Sequence, residues 1–76
     1  MAVTIYSTPS CGYCRMAKEY FDRRGVTYTD HNVMVRQDKA EEMVKKSGQM
    51  GVPVLDVNGK IIVGFNQREI EQALHR

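Results

Sequence analysis

The dipeptide Asn58-Gly59 constrains the fold of this chain more than any other short segment. It separates two apolar runs, residues 52–57 and 60–63, and both of its residues readily adopt the positive φ angles of a two-residue turn. An Asn-Gly pair flanked in this way is the strongest local sign of a β-hairpin. The sequence therefore predicts two antiparallel strands in the second half of the chain.

The first half of the chain predicts a strand, a helix and a second strand. Residues 3–6 alternate β-branched and aromatic side chains before a Ser-Thr-Pro-Ser turn. A helix fits residues 12–24, because apolar side chains recur there at spacings of three and four, and Gly25 is a typical helix end. Residues 26–33 carry Val, Thr and Tyr and predict the second strand. A strand-helix-strand unit of this length predicts a parallel strand pair.

Two further helices are predicted from the capping-box pattern, an N-cap residue with Glu three positions later. Asp38 with Glu41 would open the first of them, which ends near Gly48. Asn66 with Glu69 would open the second. Apolar residues at helical spacing form one face of each helix: Ala40, Met43 and Val44 in the first, and Ile70, Ala73 and Leu74 in the second.

The predicted element order is β-α-β-α-β-β-α, an α/β fold in which helices cover a four-stranded mixed sheet. This order is the minimal thioredoxin-type layout. No Ser- or Pro-rich linker and no internal repeat interrupts the 76 residues, so we expect residues 1–76 to form a single domain.

The charge and the N-terminal residues argue against several classes of partner. Eleven Lys and Arg against nine Asp and Glu give a net charge of +2, which is too mild and too dispersed to indicate nucleic-acid binding. Residues 1–6 lack a basic leader followed by a long apolar stretch, so we expect neither a signal peptide nor a membrane span. The expectation is a cytoplasmic monomer without nucleic-acid or membrane partners.

Cys11 and Cys14 are the two cysteines of the chain. A bridge across so few residues constrains little unfolded-state entropy, so chemistry explains the pair better than stability does. Cys11 stands at the predicted start of a helix, where unpaired backbone N–H groups stabilise a thiolate and lower the pKa of the thiol. Cys14 lies one helical turn further on, within reach for a disulfide. We expect Cys11 to attack a disulfide and Cys14 to resolve the resulting mixed disulfide.

Other interpretations of the pair and its neighbours are open. The pair could be half of a zinc site, but a complete site needs about four Cys or His ligands. Neither His31 nor His75 has ligand spacing to the pair, so no metal is expected. Two inert core cysteines would conflict with the position of Cys11 at a helix start. Arg15 and Lys18 either add positive potential near the pair or are simply solvated on the helix surface.

Pro53 stands at the start of a predicted central strand. Proline there loses a hydrogen bond of the ladder unless its position is special, as in a cis peptide bond or a turn into the strand. An ordinary trans proline at the start of the strand is the alternative.

Over essentially its whole length the sequence resembles the glutaredoxins. The resemblance rests on the element order and on three motifs: Cys11-Gly12-Tyr13-Cys14 after the first strand, Val52-Pro53 at the start of the third, and Gly64-Phe65 after the hairpin. It implies a thioredoxin-like fold in its minimal glutaredoxin form. It also implies that Cys11 is the nucleophile, that Cys14 is the resolving thiol, and that a cis Pro53 leaves the Val52 backbone free to pair with the substrate.

The resemblance further implies a groove for glutathione. Tyr13 would line this groove, and Gln49 stands where glutaredoxins often contact the glycyl carboxylate, although a loop glutamine could equally be solvated. Gly64, Phe65 and Asn66 occupy the place of the family's site for the γ-glutamyl end.

Several positions depart from the common glutaredoxin pattern. Thr8 stands where Lys or Arg is common, and Gly51 replaces the family's threonine before Val-Pro. Gly12 replaces the proline of most dithiol members, and glycine there is found in members that share an iron–sulfur cluster between two subunits. Gly64-Phe65 is similar to the glutaredoxin-like electron donors of ribonucleotide reductase, which accept electrons from thioredoxin reductase.

The activity that the resemblance implies is thiol–disulfide exchange through the Cys11/Cys14 dithiol, reducing protein disulfides or glutathione mixed disulfides. Glutathione would be the co-substrate, and no tightly bound cofactor is expected. One alternative is an electron donor reduced by thioredoxin reductase. Another is a glutathione-dependent [2Fe–2S] cluster-binding dimer held through Cys11, and a third is peptide binding without redox chemistry.

Overall fold

Four strands and three helices follow one another in the predicted order, in a computed structural model that describes residues 2–75. The elements are β1 (Val3–Ser7), α1 (Gly12–Arg23), β2 (Thr29–Asn32), α2 (Gln37–Ser47), β3 (Val54–Val57), β4 (Lys60–Val63) and α3 (Gln67–Leu74). The predicted order β-α-β-α-β-β-α is therefore confirmed. No helix within residues 2–75 is long and apolar enough to cross a membrane.

The four strands form one mixed sheet in the order β2-β1-β3-β4. β1 pairs in parallel with β2, whereas β3 runs antiparallel to both β1 and β4. Asn58 and Gly59, with φ angles of 52° and 89°, form the turn between β3 and β4. Both the parallel pair and the hairpin that the sequence predicts are confirmed.

Successive side chains of each strand point to opposite faces of the sheet, and both faces are covered. Apolar residues of α1 and α3 pack on one face, whereas Met43 of α2 packs on the other with Tyr6 and Val54. The first cluster contains Val3, Ile5, Ala17, Phe21, Leu55, Val57, Ile62, Ile70, Ala73 and Leu74. Helix α1, which contains Cys14 and begins directly after Cys11, is therefore anchored to the sheet through its buried residues Ala17 and Phe21.

The second strand is shorter than the predicted segment 26–33. Helix α1 ends at Arg23, with Arg24 as its C-cap, and Gly25 follows with a φ of +68°. The Val26 N–H then bonds back to the Phe21 carbonyl at 3.0 Å, so this part of the chain completes the helix end before it joins the sheet.

The predicted capping box of Asp38 and Glu41 is wrong. Helix α2 begins at Gln37, its N-cap is Arg36, and no side chain caps it. The Asp38 carboxylate instead accepts two hydrogen bonds from the Arg36 guanidinium, at 3.0 and 2.9 Å, a bidentate pairing that competes with capping.

The other helix boundaries agree with the sequence. Gly48 ends α2 with a φ of +75°. Asn66 is the N-cap of α3, and its side-chain oxygen accepts the Glu69 N–H at 3.2 Å. The third strand begins at Val54, two residues after the predicted start at Val52.

Tyr6 joins β1 to helix α2. The side chain is fully buried, and its hydroxyl donates a hydrogen bond to the Glu42 carboxylate. The Lys46 ammonium lies 5.3 Å from the centre of the Tyr6 ring and 3.0 Å from the Asp56 carboxylate on β3. Burial and the bond to Glu42 raise the pKa of Tyr6, and the same hydrogen bond lowers the pKa of Glu42. Helix α2 is thus held to two strands through polar contacts.

Replacing Tyr6 by Phe removes the hydrogen bond from the tyrosine hydroxyl to the Glu42 carboxylate. We expect Tyr6→Phe to lower the free energy of unfolding by about 0.5–1 kcal/mol at pH 7. The pKa of Glu42 is lower in the folded chain than in the unfolded one. The stabilisation by the ionised Glu42 carboxylate is therefore complete above the unfolded pKa of roughly 4.3, and it is lost as the pH falls through the folded pKa. The difference between wild type and variant should therefore shrink in acid.

Urea unfolding of both proteins at neutral pH and near pH 3 measures this difference. Tyr13→Phe, which removes the hydroxyl of an exposed tyrosine, is the matched control and should leave stability unchanged. A Tyr6→Phe deficit of the same size at both pH values would contradict the assignment to Glu42.

Candidate active site

The three motifs Cys11-Gly12-Tyr13-Cys14, Val52-Pro53 and Gly64-Phe65 meet at one end of the sheet. Ser7, the last residue of β1, pairs with Asn32 at the end of β2, and Tyr6 pairs with Val54 at the start of β3. Val54 also pairs with Val63, the last residue of β4. Three segments therefore leave the sheet at this end: the loop that carries Cys11, the segment before β3 and the segment after β4. We name it the active end.

Cys11 is the N-cap residue of α1. Its backbone is extended, with φ −89° and ψ 115°, and its Sγ accepts the backbone N–H of Cys14 at 3.1 Å. The Cys11 N–H in turn bonds to the Thr8 carbonyl at 3.3 Å, which closes the turn before the helix. The predicted position of Cys11 at the start of the helix is confirmed, and its sulfur contacts one backbone N–H of the first turn, that of Cys14.

Cys14 lies in the first turn of α1 and is buried, with 1% of its surface exposed, whereas Cys11 is partly exposed. The two Cα atoms are 5.2 Å apart, and the two side chains form a disulfide. One sulfur is therefore open to a partner and the other lies beneath it.

A polar network fixes α1 to the strands below the cysteines. The buried Ser7 hydroxyl donates to Asp30 Oδ1 at 2.7 Å, and the Lys18 ammonium lies 2.7 Å from Asp30 Oδ2. Lys18 is thus an ion-pair partner of a strand residue rather than a freely solvated charge. Sequence reasoning missed Asp30, whose only signal was a charged residue inside a segment predicted as a strand.

The peptide bond between Val52 and Pro53 is cis, as one interpretation of the sequence predicts. Pro53 is buried, and its carbonyl accepts the Gly64 N–H at 2.8 Å, which joins the segment before β3 to the segment after β4. Within residues 2–75, neither the N–H nor the carbonyl of Val52 makes a hydrogen bond. Both groups are therefore available to a strand-like partner.

Tyr13 and Gly12 lie on the surface between the cysteines. The Tyr13 side chain is 63% exposed. A Cβ placed on Gly12 would have no heavy atom within 4 Å, so neither residue is required by the packing of the core.

Gln49 folds back on its own loop. Its Oε1 accepts the Gly51 N–H at 2.6 Å, and its Nε2 donates to the Gly51 carbonyl at 3.1 Å and to the Ser47 hydroxyl at 3.2 Å. The structure therefore directs this amide to the protein backbone. Contact with a glutathione carboxylate, which the resemblance implies, would require the side chain to leave these partners.

The segment 64–66 is joined to α1 and α3. Phe65 packs edge-on against Tyr20 of α1, with ring centres 5.8 Å apart. The side-chain oxygen of Asn66 is used in capping α3. These contacts hold the segment at the active end, with Gly64 bonded to Pro53.

Neither histidine lies in a cluster of metal ligands. His31 lies beside Tyr6, with ring centres 5.6 Å apart, and His75 lies 3.6 Å from the Glu71 carboxylate. Residues 2–75 contain no group of three or more His, Cys, Asp or Glu side chains placed to hold a metal ion.

A hollow of about 700 Å³ lies along α2, away from the cysteines. It is lined mainly by apolar or aliphatic side chains, among them Val33, Met43, Val44 and Met50. Neither Cys11 nor Cys14 lines this hollow.

Comparison with known proteins agrees with this geometry. The sequence model of the Glutaredoxin family matches residues 3–62. A glutaredoxin-like 8.6 kDa protein in a rubredoxin operon of Clostridium pasteurianum is 42% identical over 74 residues, which cover 97% of this chain and 99% of that one. Glutaredoxin 3 of Escherichia coli is 34% identical over 62 residues, covering 82% of this chain and 75% of that one.

A solved structure extends the likeness to three dimensions. The glutaredoxin-like protein NrdH-redoxin from Escherichia coli superposes with a TM-score of 0.84 at 26% identity, covering 95% of this chain and 93% of the other. NrdH-redoxin is described as having a thioredoxin-like activity profile. With the family match, the thioredoxin-like sheet and the Cys11/Cys14 disulfide at the start of α1, the chain belongs to the glutaredoxin family.

Proposed function

We propose that this glutaredoxin is a dithiol thiol–disulfide oxidoreductase in which Cys11 attacks and Cys14 resolves. The observation that carries the proposal is the disulfide between a partly exposed helix N-cap sulfur and a buried one. The N–H of Cys14 that contacts Cys11 Sγ would stabilise negative charge on that sulfur once the bond is reduced. The exposed sulfur is thus both accessible and favoured as the nucleophile.

The reaction consists of two exchanges of sulfur–sulfur bonds. The Cys11 thiolate forms a bond to one sulfur of the substrate disulfide, the substrate S–S bond breaks, and the departing thiolate takes up a proton. The Cys14 thiol then loses its proton and attacks Cys11 Sγ, which breaks the mixed disulfide and releases the second substrate thiol. Two electrons pass from the protein dithiol to the substrate, and the Cys11–Cys14 disulfide remains.

The Val52 backbone would align the substrate. An extended segment that carries the substrate cysteine could add to Val52 as a short antiparallel strand, because its N–H and carbonyl have no partner within residues 2–75. Such pairing would hold the incoming disulfide over Cys11 and so reduce the entropy cost of the exchange. Protein disulfides and glutathione mixed disulfides both carry a backbone of this kind.

We propose glutathione as the reductant. We also propose that the protein is cytoplasmic and holds no tightly bound cofactor. The 34% identity to a protein named glutaredoxin 3 supports this choice. Thioredoxin reductase is the alternative reductant, and the likeness to NrdH-redoxin supports it.

The two cysteines should respond differently to substitution. Cys11→Ser removes the nucleophile and should lower disulfide reduction by roughly a thousandfold or more. Cys14→Ser should spare the reduction of glutathione mixed disulfides more than that of protein disulfides, because only the latter needs a resolving thiol on the same chain. A coupled assay with each substrate measures both effects, and equal residual activity of the two variants on both substrates would contradict the assigned roles.

A second experiment identifies the reductant. The oxidised protein is incubated with NADPH and one of two reducing systems, either reduced glutathione plus glutathione reductase or thioredoxin reductase. The free thiols of the protein, separated from glutathione, are then counted over time. We expect faster recovery of the thiols of Cys11 and Cys14 with glutathione. Recovery with thioredoxin reductase alone would replace glutathione by the flavoprotein as the reductant, and Cys14→Ser is the control in which no intramolecular disulfide exists to be reduced.

A second candidate function is a dimer that shares a glutathione-dependent [2Fe–2S] cluster. Gly12 is the observation that favours it, because Gly12 is exposed, has open space at its Cβ and has no φ in the left-handed region, so local packing does not explain glycine there. Cys11 of each chain would hold the cluster together with two glutathione molecules. When bound, the cluster would supply one-electron chemistry.

Anaerobic reconstitution with iron, sulfide and glutathione tests this second function. The expected result is visible absorbance that co-elutes with a dimer in wild type and in Cys14→Ser but not in Cys11→Ser. Gly12→Pro, which restrains the start of α1, should lower the yield. A colourless monomer in wild type would exclude the cluster-binding function.

A further inference from the structure

We propose that Gln49 is a positioning residue, whose side-chain amide orients the Gly51–Val52 peptide so that the Val52 N–H faces the substrate backbone. The inference rests on the proposed disulfide exchange at Cys11 and adds how its substrate is aligned. It differs from the glutathione contact that the family resemblance implies for Gln49.

Hydrogen bonds to Ser47 and Gly51 use every donor hydrogen of the Gln49 amide and its oxygen. Its two donor hydrogens have two acceptors, the Gly51 carbonyl at 3.1 Å and the Ser47 hydroxyl at 3.2 Å, and its oxygen accepts the Gly51 N–H at 2.6 Å. Ser47 is itself fixed, because its hydroxyl donates to the carbonyl of Met43 at 2.7 Å. The last turn of α2 thereby anchors the amide, and the amide anchors Gly51.

The anchored carbonyl and the free N–H belong to the same peptide unit. In a trans peptide the C=O and the following N–H point in opposite directions, and the cis bond of this segment is the next one, between Val52 and Pro53. Because Gln49 holds the Gly51 carbonyl, the Val52 N–H of the same peptide points away from the Gln49 amide. Within residues 2–75 the Val52 N–H has no hydrogen-bond partner, so it is free to bond to a substrate.

Gly51 is the residue that permits this arrangement. A Cβ on Gly51 would lie 2.7 Å from Gln49 Oε1, closer than Cβ atoms come to other heavy atoms in real structures. The φ of Gly51 lies outside the left-handed region, so its backbone would accept alanine. The reason for glycine at this position is therefore the space that the Gln49 amide occupies, and a methyl group there should displace the amide.

The proposal separates two kinds of substrate. A disulfide flanked by peptide bonds can pair with Val52 and should depend on the orientation of its N–H. A small disulfide without peptide bonds, such as bis(2-hydroxyethyl) disulfide, reacts with Cys11 without that pairing. A defect confined to the first kind would identify positioning, because general damage to the fold or to the thiolate would slow both.

The experiment measures single-turnover rate constants with pre-reduced protein, a disulfide-linked peptide and bis(2-hydroxyethyl) disulfide, using acid quench and chromatography. We expect Gln49→Ala and Gly51→Ala each to lower the rate constant for the peptide roughly fivefold to tenfold, the effect of losing one ordered hydrogen bond. Neither should change the rate constant for the small disulfide. The double variant should be no slower than either single one, because both substitutions break the same contact.

Gln72→Ala, at an exposed glutamine of α3, is the matched control and should change neither rate constant. The inference is overturned if Gln49→Ala leaves the peptide rate unchanged, if it slows both substrates equally, or if the effects of the two substitutions multiply. A wild-type protein that reduces neither substrate would overturn the proposed function itself, a result distinct from all of these.

Discussion

The antiparallel register between β1 and β3 is the constraint on which the site depends. Pairing of Tyr6 with Val54 brings the end of the first strand beside the start of the third, although 47 positions separate them in the sequence. The cysteine loop follows the first of these residues and Val52-Pro53 precedes the second. If either strand shifted by one residue, its side chains would turn to the opposite face, and Tyr6 and Val54 would no longer share the α2 face. The packing of the core and the assembly of the site therefore require the same pairing.

Backbone groups perform much of the work at the active end. The Cys14 N–H contacts the Cys11 sulfur, the Gly64 N–H holds the Pro53 carbonyl, and Gln49 holds both backbone groups of Gly51. The side chains of Cys11 and Cys14 form the disulfide, and the side chains of Gln49 and Asn66 bond to backbone groups beside it. This explains how a chain of 76 residues can build the candidate site without a deep pocket, because every residue except proline offers both an N–H and a carbonyl whatever its size.

Features of the fold that depend on neighbours in sequence could be predicted. The turn at Asn58-Gly59, the cap at Asn66 and the helix start at Cys11 follow from preferences that act within a few residues. The predicted cap at Asp38 failed because Arg36, two residues away, is a stronger partner for the carboxylate. Within segment 26–33, Val26 completes the end of α1 and Thr29–Asn32 pair in the sheet. Strand propensity is similar in both parts, so it could not separate them.

Contacts between distant segments could not be read from the sequence, and neither could the direction of the Gln49 amide. The Asp30 bridge to Ser7 and Lys18 needs three elements already in place. Another such contact involves Asn58, whose oxygen accepts the Ala2 N–H while its amide donates to the Ala73 carbonyl, at the end of the sheet opposite the cysteines. Both extremities of the described chain are therefore held at the rear of the molecule. A reporter domain or a solid support attached there would leave the active end uncovered.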